Sequence, residues 1–181
     1  MNTRLSLCLI FGAVIFLAAC DKDDDSGMTE PTLYEKLGGT ALVADPNSTG
    51  MIEKGRLGLR SVVDSTIFVI AADPKLSPYF ATLLSEVGNG NVSNLAILSE
   101  NLTDFFCVAT GAEHFTYDGL DMASAHDPST NPRMAQKADN AAYDAFINDV
   151  VIGAQQNNVP SELITEVGAL LETLRETVVQ R

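Results

Sequence analysis

From residue 51 onward, apolar residues recur at helical spacing, and no stretch alternates long enough to predict a strand. The first periodic segment predicts a helix over 51–72 that ends before Asp73 and Pro74, because the residue before a proline disfavours helical backbone. Gly55 or Gly58 is the expected weak point of this helix. Its apolar face consists of Leu59, Val62, Val63, Thr66 and Ile70.

A second helix is expected to start at Ser93, which suits an N-cap, and to end near Gly111, since glycine is favoured just past helix C-termini. Its apolar face consists of Leu95, Leu98, Leu102, Phe105, Phe106 and Ala109.

Two more amphipathic helices fill the C-terminal part of the chain. The third is capped by Asp139 or Asn140, and the fourth follows Pro160. The short connection over 156–161 favours antiparallel packing of this pair. Their apolar faces consist of Tyr143, Phe146, Ile147, Val150, Val151 and Ala154, and of Leu163, Val167, Leu170, Leu171, Leu174 and Val178. The predicted fold class is therefore all-α.

The N-terminus is expected to be a targeting segment. Residues 1–19 combine one early positive charge with an apolar run of signal-peptide length. The run ends in LAAC, which resembles the lipobox of bacterial lipoproteins and implies lipidation of Cys20. The alternative is an uncleaved anchor helix over the same residues. Either reading tethers the remaining chain to a membrane.

The rest of the chain divides into an acidic linker over 20–31 and one domain over 32–181. A lipoprotein of this kind is expected in the bacterial cell envelope, with its domain in the periplasm or at the cell surface. The sequence has 11 basic and 24 acidic side chains, a formal charge of −13. Such a surface repels phosphate backbones, so no nucleic-acid partner is expected.

The cysteines do not form a disulfide framework. Cys8 would leave with the signal and Cys20 would carry lipid, so Cys107 stands alone as a small buried hydrophobe. No Cys-x-x-Cys-His motif is present for covalent haem attachment. With two histidines and this single thiol, the chain offers little material for a nucleophilic triad, and no catalytic residue is assigned.

Several segments together resemble the group 1 truncated haemoglobins. They are LYEKLGG (33–39), VVD (62–64), ADPKLSPYF (72–80), FFCVATGA (105–112), YDGLDMASAH (117–126), AAYDAFINDVV (141–151), NNVPSELI (157–164) and the terminal LRETVVQR. They follow the order found in that family and cover nearly all of the predicted domain. The resemblance implies a two-over-two helical sandwich that encloses a non-covalent b-type haem.

His126 matches the proximal haem ligand of that family. A neutral imidazole is a good axial donor to iron, and a single protein ligand leaves the sixth position for a gas. Met122, four residues earlier, is expected on the same helical face against the porphyrin. The alternative is a surface or capping histidine on a domain without cofactor. His114 matches no ligand position and is expected to be a solvated loop residue.

The resemblance also implies a set of haem-lining side chains, although an aromatic residue or leucine at helical spacing is more often plain core. The expected cofactor-binding set is Phe80, Leu98, Leu102, Phe105, Met122, His126, Tyr143 and Phe146. Arg133 and Lys137 are the nearest following cations; solvated charge is the simpler role for them, and pairing with the haem propionates is the alternative.

The distal side departs from the family pattern. The position of the usual distal tyrosine is Ile67, and Leu98 and Leu102 occupy positions that are often polar. Thr66 and Asn101 are the remaining candidate hydrogen-bond donors. We therefore expect an apolar distal pocket, which favours NO or CO and holds O2 weakly.

The expected function is a membrane-tethered haem protein that binds a diatomic gas. A haem-free globin-like lipoprotein acting as a protein interaction domain is the alternative. NO detoxification or redox turnover would require an external reductase, because the chain carries no G-x-G-x-x-G fingerprint. Two insertions relative to the family, over 40–61 and 82–94, are expected to cover the pocket mouth or to form a partner surface.

Overall fold

The computed structural model describes residues 30–181, so the proposed signal segment and Cys20 lie outside the described residues. Within this range the all-α prediction is confirmed. The helices are α1 (Leu33–Lys36), α2 (Lys54–Ala72), α3 (Ala81–Gly88), α4 (Ser93–Ala109), α5 (Met122–His126), α6 (Asn140–Gln156), α7 (Ser161–Glu172) and α8 (Arg175–Val178). A 3₁₀ turn over Ser77–Phe80 precedes α3.

Helix α2 is the centre of the fold, because it packs against both α6 and α4. Leu59, Val63 and Ile67 of α2 are buried against Phe106 of α4 and Val150 of α6. All of these residues except Ile67 belong to apolar faces that helical spacing predicts, so the hydrophobic effect accounts for the assembly of the three long helices.

The start of α2 differs from the prediction. Residues 51–53 form a strand rather than the first turn of the helix, and α2 begins at Lys54. Gly55 is not a weak point, since α2 continues through it. A β-carbon at residue 55 would lie 2.8 Å from the Tyr34 ring, so the glycine allows α1 to approach α2 closely.

The expectation of no strand is wrong for the first insertion. Strands β1 (Leu42–Ala44) and β2 (Met51–Glu53) pair antiparallel, with Val43 opposite Ile52. Asp45 closes the connecting turn by accepting hydrogen bonds from the Asn47 amide and the Ser48 hydroxyl. Each strand has three residues, too few for an alternating pattern to be recognised.

The ends of the longer helices follow local chemistry. The predicted termination at Gly111 is confirmed: its φ is +96°, and the amides of Gly111 and Ala112 donate to the carbonyls of Val108 and Cys107, a Schellman motif. Asp139 caps α6 by accepting from the Ala142 amide at 2.8 Å. Ser93 is the first residue of α4, and Val92 occupies the cap position.

The predicted fourth helix is divided. α7 ends at Glu172, and after a turn at Thr173 and Leu174 the chain forms the short helix α8. Among residues 30–181, no single helix meets the length and hydropathy expected of a membrane span; α2 and the following helical segment over Ser77–Gly88 do so only jointly, across a 103° bend.

Candidate functional site

The central feature of the candidate site is a hydrogen bond between His126 and Met122 in α5. His126 Nδ1 lies 2.8 Å from the carbonyl oxygen of Met122, one helical turn earlier. A carbonyl only accepts, so Nδ1 carries the proton and Nε2 carries the lone pair in the neutral ring. This hydrogen bond fixes both the tautomer and the ring orientation of a half-buried imidazole.

Local capping builds α5, which has only five residues. Asp121 accepts a hydrogen bond from the Ser124 amide at 3.0 Å and so caps the N-terminus. At the other end, Asn131 Nδ2 donates to the Ala125 carbonyl at 2.8 Å. The hydrogen bonds from Ser124 hold the pKa of Asp121 below its ordinary value, so the cap is ionised at neutral pH.

The predicted cofactor-lining side chains, apart from Tyr143 and His126, pack on the outside of two apolar clusters. Phe80 and Met122 pack on the cluster around Tyr79, and Leu98, Leu102 and Phe105 pack on the cluster around Ile67. Phe146 packs on both clusters and connects them. These side chains and His126 are half-buried, so each has part of its surface not covered by protein.

Tyr143 differs from the other predicted lining residues because it is buried in the protein interior. Its exposed fraction is 3%, and its hydroxyl donates to the Leu171 carbonyl at 2.5 Å. Burial raises the pKa of this phenol to about 12. Its ring centroid lies 6.0 Å from that of Phe146, so the buried Tyr143 packs against the half-buried Phe146.

The predicted distal residues Thr66, Ile67 and Asn101 differ in burial. Ile67 is buried among the side chains of α2, α4 and α6. Thr66 is buried too, but its hydroxyl points toward Gly153 of α6 and makes no hydrogen bond within the described residues. Asn101 is exposed on α4. The two candidate donors therefore lie in different environments, one internal and one at the surface.

Both cations that follow His126 are paired with carboxylates. Arg133 forms a two-nitrogen pair with Glu86 of α3, with contacts of 2.6 and 3.2 Å. Lys137 Nζ lies 3.6 Å from Asp127. The guanidinium of Arg133 holds the pKa of Glu86 below its ordinary value. These pairs fasten the loop after His126 to α3 and to the end of α5.

An apolar cavity of about 50 Å³ lies between α2, α4, α6 and α7. Thr66, Leu102 and Phe146 contribute to its wall, whereas His126 does not. The α7 part of the wall includes Val167, which belongs to a predicted apolar helix face, and Ile164, which does not. Helical periodicity identifies such residues as apolar, but it does not show which of them border a space.

Metal-ligating side chains are sparse in the described part of the chain. Over residues 30–181, no three His, Cys, Asp or Glu side chains converge as a possible ion site. Cys107 is fully buried, and burial raises the pKa of its thiol to about 11. His114 is largely exposed and lies 3.8 Å from Glu53, as expected for a loop residue.

No protein-family model and no curated protein matches this sequence. Solved structures do. The truncated hemoglobin from Tetrahymena pyriformis in its Fe(III) form is similar with a TM-score of 0.61 at 19% identity. The 2/2 hemoglobin from Synechococcus sp. PCC 7002, in the cyanomet state with covalently attached heme, is similar with a TM-score of 0.58 at 23% identity. Both alignments cover 83% of this chain and 100% of the other. The chain therefore has the truncated haemoglobin fold, as its resemblance predicts.

Proposed function

We propose that this protein binds a non-covalent b-type haem through His126 and uses the opposite side of the iron for a diatomic gas. The observation that carries the proposal is the 2.8 Å hydrogen bond from His126 Nδ1 to the Met122 carbonyl, in a chain with the truncated haemoglobin fold. The haem iron would supply the gas-binding position. The two similar structures are described as holding Fe(III) and heme, respectively.

The chemistry of the donor set fits this group. Metal-ligating histidines commonly donate their second ring nitrogen to a carbonyl, which fixes the tautomer and raises the basicity of the ligating nitrogen. His126 has this arrangement, because its Nδ1 donates to the Met122 carbonyl and its Nε2 is left to bind a metal. A porphyrin would supply the other nitrogen ligands to its iron, so a single histidine from the chain would be sufficient to hold it.

The surroundings of His126 fit a flat apolar ligand as well. Phe80, Met122 and Phe146 pack on one apolar cluster, and half-buried side chains of α4 pack on the other. Half-buried aromatic and leucine side chains gain further burial when an apolar plate covers them, at about 25 cal/mol per Å². These side chains would therefore bind haem mainly through the hydrophobic effect, and His126 would hold its iron.

The residues on the gas-binding side favour NO or CO over O2. Ile67, Leu98 and Leu102 are apolar, the Thr66 hydroxyl points toward α6, and Asn101 is exposed. Bound O2 is strongly polarised and depends on hydrogen-bond donors more than CO does. Without a donor, O2 is expected to leave quickly. A role in NO detoxification would add an external reductase as a partner.

The proposal places the domain at a membrane. LAAC at 17–20 is the supporting feature, with Cys20 as the lipid-carrying residue and 20–31 as the linker. The domain would then lie in the periplasm or at the cell surface. In a bacterial host, wild-type protein is expected in the membrane fraction and to incorporate labelled palmitate. Cys20→Ser should lose the label, and a labelled Cys20→Ser protein would contradict the assignment.

The test of the haem assignment is a titration of residues 28–181 with haemin, followed by absorption spectroscopy. We expect a Soret band that saturates at one haem per chain. His126→Ala should shift the band and weaken binding, while the matched control His114→Ala should behave as wild type. If wild type and His126→Ala bind haemin equally weakly, the result supports the alternative, a haem-free globin-like lipoprotein that acts as a protein interaction domain.

A further inference from the structure

The penultimate residue Gln180 contacts α5, although it is not among the predicted haem-lining residues. Gln180 Nε2 donates to the Ala123 carbonyl at 2.8 Å and lies 3.5 Å from the Thr177 carbonyl. Both neighbours are acceptors, which identifies this side-chain atom as the amide nitrogen. Gln180 therefore connects the C-terminal tail directly to the helix that carries His126.

The Ala123 carbonyl is a group that α5 cannot satisfy by itself. The last four carbonyls of an α-helix have no intrahelical partner, and α5 ends at His126, where Asp127 turns into extended backbone. Asn131 supplies a donor to the Ala125 carbonyl, and Gln180 supplies one to the Ala123 carbonyl. Side chains from two other segments thus complete the C-terminal turn of α5.

The tail is itself held firmly, so Gln180 is a fixed donor. Its backbone amide donates to the Ala138 carbonyl at 2.9 Å, beside a parallel bridge between Val179 and Ala138. Val178 is buried in the cluster on which Met122 packs. A donor whose position is already fixed loses little entropy when it forms a hydrogen bond.

Arg181 extends the same connection to the start of α6 and to the 3₁₀ turn. Its guanidinium lies 3.0 Å from Asp139, the cap of α6, and 3.1 Å from the Tyr79 hydroxyl in the 3₁₀ turn that also contains Phe80. The tail therefore joins α5, the start of α6 and the 3₁₀ turn. These three elements carry His126, Tyr143 and Phe80.

We propose that Gln180 is a positioning residue for His126: its hydrogen bond to the Ala123 carbonyl fixes the last turn of α5 and thereby the direction of the imidazole. This inference rests on the proposed function for its consequence at the iron. Its structural part, the ordering of α5, holds with or without haem. A five-residue helix is far below the length at which helices are stable alone, so external donors decide its order.

The test compares Gln180→Met, which keeps the length and removes the donor, with Gln180→Lys, which restores a donor of similar reach. Glu176→Gln in α8 is the matched control, because Glu176 is exposed. In haem-free protein, amide hydrogen exchange in α5 should be roughly five- to tenfold faster in Gln180→Met, the effect of losing one hydrogen bond. Exchange in α4 and α6 should not change, and Gln180→Lys should restore wild-type exchange.

Haemin-loaded protein gives the second readout. Gln180→Met should lose haemin faster to excess apomyoglobin and, after reduction with dithionite, shift the Fe(II)–histidine stretching band, while Glu176→Gln should do neither. Wild-type exchange rates in Gln180→Met would overturn the inference, as would equal acceleration in α4 and α6, which indicates global destabilisation. Failure of the wild-type protein to bind haemin would overturn the proposed function instead. The exchange rates in haem-free protein would still test whether Gln180 orders α5.

Discussion

Gly153 of α6 lies directly against Thr66 of α2: a β-carbon at residue 153 would lie 2.3 Å from Thr66 Oγ1 and 3.0 Å from its backbone nitrogen. Glycine therefore allows the two central helices to approach each other closely at this point. Because α2 and α6 contribute much of the core, this contact limits how far apart the two helices pack.

Gly153→Ala is expected to destabilise the protein by about 1–3 kcal/mol, because added volume at a packed helix contact forces the backbones apart. Chemical denaturation measures this change. Gly168→Ala in α7 is the matched control, since a β-carbon there would have no heavy atom within 4 Å apart from its own helix backbone and chain neighbours. It should be neutral or stabilising by up to about 1 kcal/mol through helix propensity. Equal stability of Gly153→Ala and wild type would contradict the close contact.

Leu102→Gln should slow O2 dissociation from haem-loaded protein by roughly tenfold, since it adds a hydrogen-bond donor to an apolar side of the pocket. CO dissociation should change far less. Thr66→Val, which removes only a hydroxyl that points toward α6, should leave O2 dissociation unchanged. Flash photolysis and stopped-flow mixing give these rates. Slow O2 release in wild type, abolished by Thr66→Val, would show that Thr66 is a distal donor.

Asp149 of α6 provides a pH-dependent test of stability. Its exposed fraction is 2%, and one carboxylate oxygen makes no hydrogen bond within the described residues. Burial, with the nearby charge of Asp73, raises its pKa above the ordinary 3.8. The folded state therefore binds the proton more tightly than the unfolded state, so this group lowers stability as the pH rises from its unfolded pKa through its folded pKa.

Asp149→Asn removes this ionisation while keeping the shape of the side chain. We expect the variant to be more stable than wild type at pH 7 by about 1 kcal/mol, the order of cost of an unpaired buried polar group. The gain should shrink as the pH falls through the folded pKa and the ordinary 3.8, because Asp149 is protonated in both states only below both values. Urea denaturation from pH 3.5 to 8 measures both curves. A gain independent of pH would exclude ionisation of Asp149 as its cause.

Arg56 joins the beginning of α2 to the second half of α4. Its side chain is 12% exposed, pairs with Asp104 at 2.5 Å and with Glu100, and lies over the Phe115 ring. Arg56→Met should cost about 2–3 kcal/mol, because it leaves a partly buried carboxylate unpaired. The exposed pair of Lys36 and Glu166 is the comparison: Lys36→Met should cost about 0.5 kcal/mol or less. Thermal unfolding ranks the two variants, and similar losses would contradict the difference in burial.

Local sequence signals predicted the long helices well because each has an apolar face and a chemically distinct end. Gly111 ends α4 through its positive φ, and Asp139 begins α6 through its carboxylate. The β-hairpin could not be predicted in this way, since its strands are only three residues each. The role of Gly55 was likewise hidden, because its neighbour Tyr34 belongs to another helix.

For the candidate site, the sequence by itself determined the residue types: a histidine one turn after Met122, apolar side chains at helical spacing, and no tyrosine at the position of Ile67. Only the tertiary structure decided what these residues face. It directs Thr66 toward Gly153, buries Tyr143 behind Phe146, and brings Gln180 to the Ala123 carbonyl. Periodicity and capping act over a few neighbouring residues, whereas these contacts join segments far apart in the chain, and no local pattern encodes them.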